Sequence, residues 1–214
     1  MCYTGNIVVY REPKFGIVMK KVLNVGGNNR NIKLPPIYDN WTSVLLDIDP
    51  KGKPDVLCDA RNLAQLSAAE YDAVYCSHNL EHYFRHDAAK VLAGFLHIMK
   101  DDAFVHIRVP DIGAVMRVAV EKNLDIDDLL YNSPSGPIAV RDVIYGFGLE
   151  IERSGNDFYA HKTGFTIKSL ATVLTKAGFA YHYMGSGNLE IVAFAFKLPP
   201  TPAVTSLLKL PDQQ

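Results

Sequence analysis

Cysteine is scarce: the 214-residue chain has Cys2, Cys58 and Cys76 and no Cys-x-x-Cys pair. An odd, scattered set of three gives no disulfide framework, and it fits a reduced, cytoplasmic setting. Long apolar runs are also missing, since no stretch approaches the roughly 18 residues a membrane helix needs. No basic-then-apolar leader opens the sequence either, so neither membrane insertion nor export is expected. Charge of one sign is not in excess: 22 Lys and Arg against 23 Asp and Glu leave a formal net charge of -1. That balance gives no reason to expect nucleic acid or an anionic membrane as partner. Internal repeats are absent. What is present is 48% hydrophobic and 21% charged, the composition of one globular domain that can bury a core without disulfides or a structural metal.

Short β-branched runs alternate with helix-length segments, the pattern of βαβ units around a largely parallel sheet. Strands are expected at Lys21–Val25, 43–48, 55–58, Tyr71–Ser77 and 103–109, with Pro110 closing the fifth. Residues 87–99 place Val91, Leu92, Phe95, Leu96 and Met99 at helical spacing, and a tight turn at Asp101 and Asp102 is expected before strand five. A second helix is read over 111–122 and a third after Thr166, a natural N-cap, with Gly178 as its C-cap. Residues 123–160 break the rhythm with acidic and turn-forming residues, and are read as an inserted lid built from short helices. Residues 180–184 and Glu190–Phe196, flanking a turn at 185–188, form a terminal antiparallel hairpin. The organisation expected is an extension over 1–18 to which no function is attached, a domain over 19–197, and a peripheral tail over 198–214.

Function is sought at the strand ends. A glycine turn after strand one and an acid about 20 residues on, closing strand two, are how open α/β sheets hold an adenosine. Here these are Gly26 and Asp47: the glycine admits a close backbone approach, and the carboxylate accepts hydrogen bonds from ribose hydroxyls. A dinucleotide also needs a glycine-rich turn running straight into a helix N-terminus. GGNNRNIKLPP supplies none, because Pro35 and Pro36 argue for a loop.

In that order and spacing the chain resembles the class I S-adenosyl-L-methionine (SAM) dependent methyltransferases, in their type 11 branch, over residues 21–197. VLNVGGNN resembles the family's first motif, LLDIDP its ribose-binding strand end, CDARNL its adenine segment, and YDAVYCSHNLEHY its fourth strand and the turn beyond. Two positions depart: Asn24 stands where the family usually has an acid, and Asn28 where it has a second glycine.

The resemblance implies a doubly wound, mostly parallel seven-stranded α/β sheet, Rossmann-like, with a C-terminal antiparallel hairpin and a lid. It implies SAM as cofactor, held by Gly26, Gly27, Asn28, Asp47, Ile48, Asp59, Ala60, Ser77 and His78, with Asp59 on the adenine amino group and the Ala60 amide on the ring. Methyl transfer to a small molecule or glycan is the expected activity. His82 and His161 are the candidate proton acceptors, since imidazole titrates near neutrality. The alternatives are a non-catalytic SAM-fold binding protein, which Asn24 and Asn28 would favour, and a dinucleotide-dependent oxidoreductase.

His78, Glu81 and His82 spell the H-x-x-E-H of inverzincin peptidases, but they follow directly on a strand, where that motif needs a helix, and no third ligand is evident. Ubiquinone-type O-methyltransferases carry E-x-x-E-H with a divalent cation at the same place; the first ligand differs here, and no metal is expected. In or beside the lid, Tyr159, Tyr145, Arg141 and His161 are the residues expected near an acceptor.

Overall fold

The computed structural model describes residues 19–134 and 136–211; the extension read over 1–18 lies outside them. Strands β1 (Lys21–Val25), β2 (Thr42–Asp47), β3 (Val56–Leu57), β4 (Tyr71–Ser77) and β5 (Met99–Pro110) are followed by a separate hairpin, β6 (Leu129–Ser133) and β7 (Gly136–Ala139), then by β8 (Tyr181–Gly187) and β9 (Glu190–Phe196). Helices are α1 (Arg85–Ile98), α2 (Ile112–Glu121), α3 (Val140–Tyr145), α4 (Gly148–Ser154), α5 (Ile167–Ala177) and α6 (Pro202–Leu208). The main sheet runs β3-β2-β1-β4-β5-β9-β8, in which β9 alone is antiparallel to the other six strands. This is the expected mixed, mostly parallel seven-stranded α/β sheet. Among the described residues no helix is long and apolar enough to cross a membrane.

Both faces of the sheet are covered, so its central strands read as nearly continuous apolar runs. Leu23, Val25, Val74 and Cys76 pack under α1 and α5 against Leu92, Phe95 and Leu174. On the opposite face Val22, Ala73, Phe104 and Phe196 meet Tyr38 and, from α6, Val204 and Leu208. The tail is therefore not peripheral: Thr201 caps α6 by accepting the Val204 amide, and two of the helix's residues complete the second core.

Three further expectations are corrected. The turn placed at Asp101 and Asp102 is part of β5, whose register against β4 jumps between the Tyr71–Met99 and Ala73–Phe104 pairs. Lys197 stabilises this bulge, donating to the Met99 carbonyl at 2.8 Å. The terminal hairpin turns at Asn188 and Leu189, at φ 52° and 62°, a two-residue connection that needs two left-handed residues. Leucine is tolerated there because it packs beside α2 while its carbonyl accepts the Asp111 amide at 2.8 Å. The lid holds not only α3 and α4 but also the β6–β7 hairpin, and Ile138, Val140 and Val143 pack it onto Val115 of α2. Thr166 and Gly178 cap α5 as expected.

An imidazole is buried beside the second core. His106 is 5% exposed, its Nδ1 lies 3.3 Å from the Tyr38 hydroxyl, and its ring packs 4.4 Å from that of Phe194. Burial, and next the Arg108 charge, lower its pKa to about 4. The unfolded chain binds this proton below its ordinary pKa of about 6.5, whereas the folded chain does so only near 4. Stability is therefore lost as pH falls through that window, by on the order of 3 kcal/mol. Urea unfolding at pH 7 and pH 4.5 is expected to show this loss, and His106→Asn to flatten it; an unchanged acid slope in the variant would assign the loss to other groups.

Candidate functional site

The chain runs from β1 outward through β2 to β3, then returns to the other side of β1 for β4 and β5. Such a reversal opens a crevice at the carboxyl ends of the strands, the place where α/β sheets bind ligands. A cavity of about 550 Å³ lies there, lined from β1, β2, β4 and the loops after them.

Its floor is the turn after β1. Gly26 has φ +68°, and its amide donates to the Leu46 carbonyl at 2.8 Å, tying the turn to β2. A Cβ on Gly26 would stand 2.0 Å from Asn79 Nδ2, and one on Gly27 2.1 Å from Asn24 Nδ2. Both glycines are thus required by the two asparagine side chains that fill the space beneath the loop. Asn24, buried at the end of β1, packs there under Gly27.

Asp47, 8% exposed, closes β2. Its Oδ2 accepts the Asn28 amide and its Oδ1 the Asp49 amide, each at 2.9 Å. These bonds fix the carboxylate and leave acceptor capacity on both oxygens. Asp59, after β3, is held differently: Arg61 grips it with Nε at 2.9 Å and Nη2 at 2.6 Å from Oδ2, and donates its amide to Oδ1 at 2.9 Å. Burial opposes the charge, but the Arg61 bonds outweigh it and hold the pKa down. A ligand amino group reaching Asp59 has to share it with Arg61.

The cavity gathers Gly26, Gly27, Asn28, Asp47, Ile48, Asp59, Ser77, His78 and His82 in one wall. Ala60, 1% exposed, is not among the lining residues. Nor is His161; its ring lies 4.9 Å from that of His82. From the lid, Asp157, Phe158 and Tyr159 line the cavity, as does Lys162 just beyond it. Tyr145 is 61% exposed, and Arg141 pairs with the exposed Asp127 on the surface, so neither faces the crevice.

Beyond β4 the backbone at His78 is left-handed, φ +48°. Its Nε2 meets Glu190 Oε1 at 2.7 Å, and Glu190 is in turn held by Arg108, Nε to Oε1 at 3.1 Å and Nη2 to Oε2 at 2.5 Å. Desolvation works against a charge on His78, but the hydrogen bond to Glu190 and the ion pair with Glu81 prevail and raise its pKa to about 9. His78 is therefore a cation at neutrality and no proton acceptor. Its contribution to stability is complete below about 6.5 and is lost as pH rises through about 9. His161 is the opposite case: burial lowers its pKa, and its Nδ1 bonds the Val143 carbonyl at 2.9 Å.

Glu190 and Arg108 escape sequence reasoning because 112 residues separate Glu190 from His78. Arg61 did have a local signal, a cation two residues after an acid that caps a turn.

No family model matches the sequence, and no curated relative does. The fold has many solved neighbours. The chain is similar to a SAM-dependent methyltransferase from Archaeoglobus fulgidus at 16% identity and a TM-score of 0.52, over 83% of this chain and 86% of that one. It is similar to a second, from Methanosarcina mazei, at 13% identity and a TM-score of 0.52, over 84% and 93%. The fold is that of the class I SAM-dependent methyltransferases.

Proposed function

We propose that this chain binds SAM in the crevice and transfers its methyl group to a small molecule or glycan. One observation carries the reading: Asp47, fixed by the Asn28 and Asp49 amides, faces the same cavity as the Gly26–Gly27 turn. A carboxylate so held accepts from two ribose hydroxyls with no reorganisation. Between β1 and β2 the described chain forms a loop and one 3-10 turn, Pro36–Tyr38. No helix N-terminus is then available there for a pyrophosphate, which counts against a dinucleotide.

When bound, SAM supplies an electrophilic methyl on a sulfonium. The chain's own task is mainly orientation, holding an acceptor in line with that methyl. His78, Glu190 and Arg108 brace the end of β4 against β9 and so keep the wall rigid. Phe158 and Tyr159 offer aromatic surface to an acceptor, and Lys162 a cation. For a hydroxyl acceptor, His82 stands in the wall and the neutral His161 beside it, and this pair is proposed to take the proton.

Calorimetry with SAM and its demethylated product tests the reading. Binding at one site is expected, with S-adenosylhomocysteine appearing once a suitable acceptor is supplied. Absence of heat at millimolar ligand, or tighter binding of NAD, would remove the proposal.

A further inference from the structure

The turn after β4 buries a carboxylate that the fold satisfies only in part. Glu81 is 1% exposed, and neither of its carboxylate oxygens has a hydrogen-bond partner. The cationic His78 brings Nδ1 to 3.4 Å from Oε1, a long ion pair, while nothing meets Oε2. Burying a charge with so little compensation is costly.

Two imidazoles lie beside it: a carboxylate oxygen of Glu81 and one ring nitrogen each of His82 and His161 fall within 4.8 Å of one another. Both rings are arranged as metal ligands usually are. On His161, Nδ1 faces the Val143 carbonyl at 2.9 Å, which fixes the tautomer and leaves the Nε2 lone pair available. His82 has Nδ1 3.1 Å from the Ala160 carbonyl and Nε2 3.1 Å from the His78 carbonyl. A neutral imidazole donates from one nitrogen only, so one of these contacts sets lone pair against lone pair. A cation between the three groups would relieve both faults, giving the open carboxylate oxygen of Glu81 a partner and His82 a use for its second nitrogen.

We propose that Glu81, His82 and His161 form a binding site for a divalent transition-metal ion of the zinc class. Two imidazoles and one carboxylate favour such an ion over magnesium or calcium, which prefer oxygen ligands throughout. The Val143 and Ala160 carbonyls are the outer partners that orient the two rings. This donor set differs from the E-x-x-E-H arrangement, because His78 is turned to Glu190 and its place is taken by a residue from the end of the lid. The lid end is anchored there by backbone bonds, Lys162 and Thr163 amides to the Glu81 carbonyl at 2.8 and 3.1 Å. Ligand atoms around tetrahedral zinc stand about 3.3 Å apart, so the trio closes slightly on binding. Three protein ligands leave a fourth position, and a bound ion occupies the imidazole lone pairs, so the proton-accepting role proposed for His82 and His161 belongs to the metal-free chain. Metal binding does not depend on methyl transfer, and its test needs no SAM.

The full chain, stripped with EDTA, is titrated with Zn²⁺ by calorimetry and with Co²⁺ by visible absorption. One equivalent is expected to bind, with the d–d bands of low-coordinate cobalt. Glu81→Gln and His161→Ala should each weaken binding by about 100-fold or more, an effect at or above that of losing an outer partner. His86→Ala, whose side chain is 74% exposed, should change nothing. Circular dichroism checks each fold, and His161→Ala, which keeps the buried carboxylate in place, serves if Glu81→Gln does not fold. No stoichiometric binding, or binding and cobalt bands that survive His161→Ala, would overturn the site.

Discussion

Excising residues 125–157 in favour of a short Gly-Ser linker is expected to abolish turnover while changing SAM affinity by no more than about 1 kcal/mol. The removed segment holds β6, β7, α3 and α4; it packs on Val115 through a small cluster of its own and is also tied to the rest of the chain by the Tyr145 and Val143 carbonyls, which meet His161, and by the Asp157–Lys162 pair. Neither core of the seven-stranded sheet includes a residue from it. The Gly26 turn and Asp47 also lie outside it, so the cofactor end should persist. What is lost is Asp157 and the support for Phe158 and Tyr159, the lid's share of the cavity wall. An acceptor left without that wall is exposed to water and poorly oriented, a loss of roughly a thousandfold or more in rate. Because excision uncovers Val115, Phe158→Ala and Tyr159→Ala provide a milder version in the intact chain, with turnover again falling more than affinity. Full activity in the folded truncation would mean that the segment serves something other than the acceptor.

Asp47→Ala is expected to weaken SAM binding by about 1.5–3 kcal/mol, the loss for hydrogen bonds to a charged acceptor. Part of this comes through the loop, since the Asn28 amide loses its partner along with the ribose. Asp47→Asn, which retains one acceptor oxygen, should fall between the two. Asp49 is occupied in capping the next turn, accepting the Lys51 amide at 2.9 Å, and Asp49→Ala should have a much smaller effect. Equal losses from the two acids would put the ribose elsewhere.

How much of this was legible depends on the distance over which each interaction acts. Tyr71–Ser77 and Lys21–Val25 could be read directly because each is an apolar run ended by turn chemistry. Helix α5 was bounded by its own caps, Thr166 and Gly178. The β6–β7 hairpin was missed because its strands bury a single residue, Ile138, and carry no strong alternation. Helix α6 was missed because its two anchoring residues, Val204 and Leu208, make sense only against a sheet face formed from distant strands. The site divides in the same way. Gly26, Asp47 and Asp59 were found from order and spacing, since the fold's topology itself brings successive strand ends together. The partners that set their state were not found: Glu190 on His78, or Glu81 between two histidines, arises from contacts that no local pattern encodes.

The most direct measurement is the structure of the chain crystallised with S-adenosylhomocysteine. The account predicts the ligand in the crevice at the ends of β1, β2 and β4, both ribose hydroxyls within hydrogen-bond distance of the Asp47 carboxylate, and the adenine beside Asp59 and Ala60. Ligand bound elsewhere, or a ribose that does not touch Asp47, would contradict it.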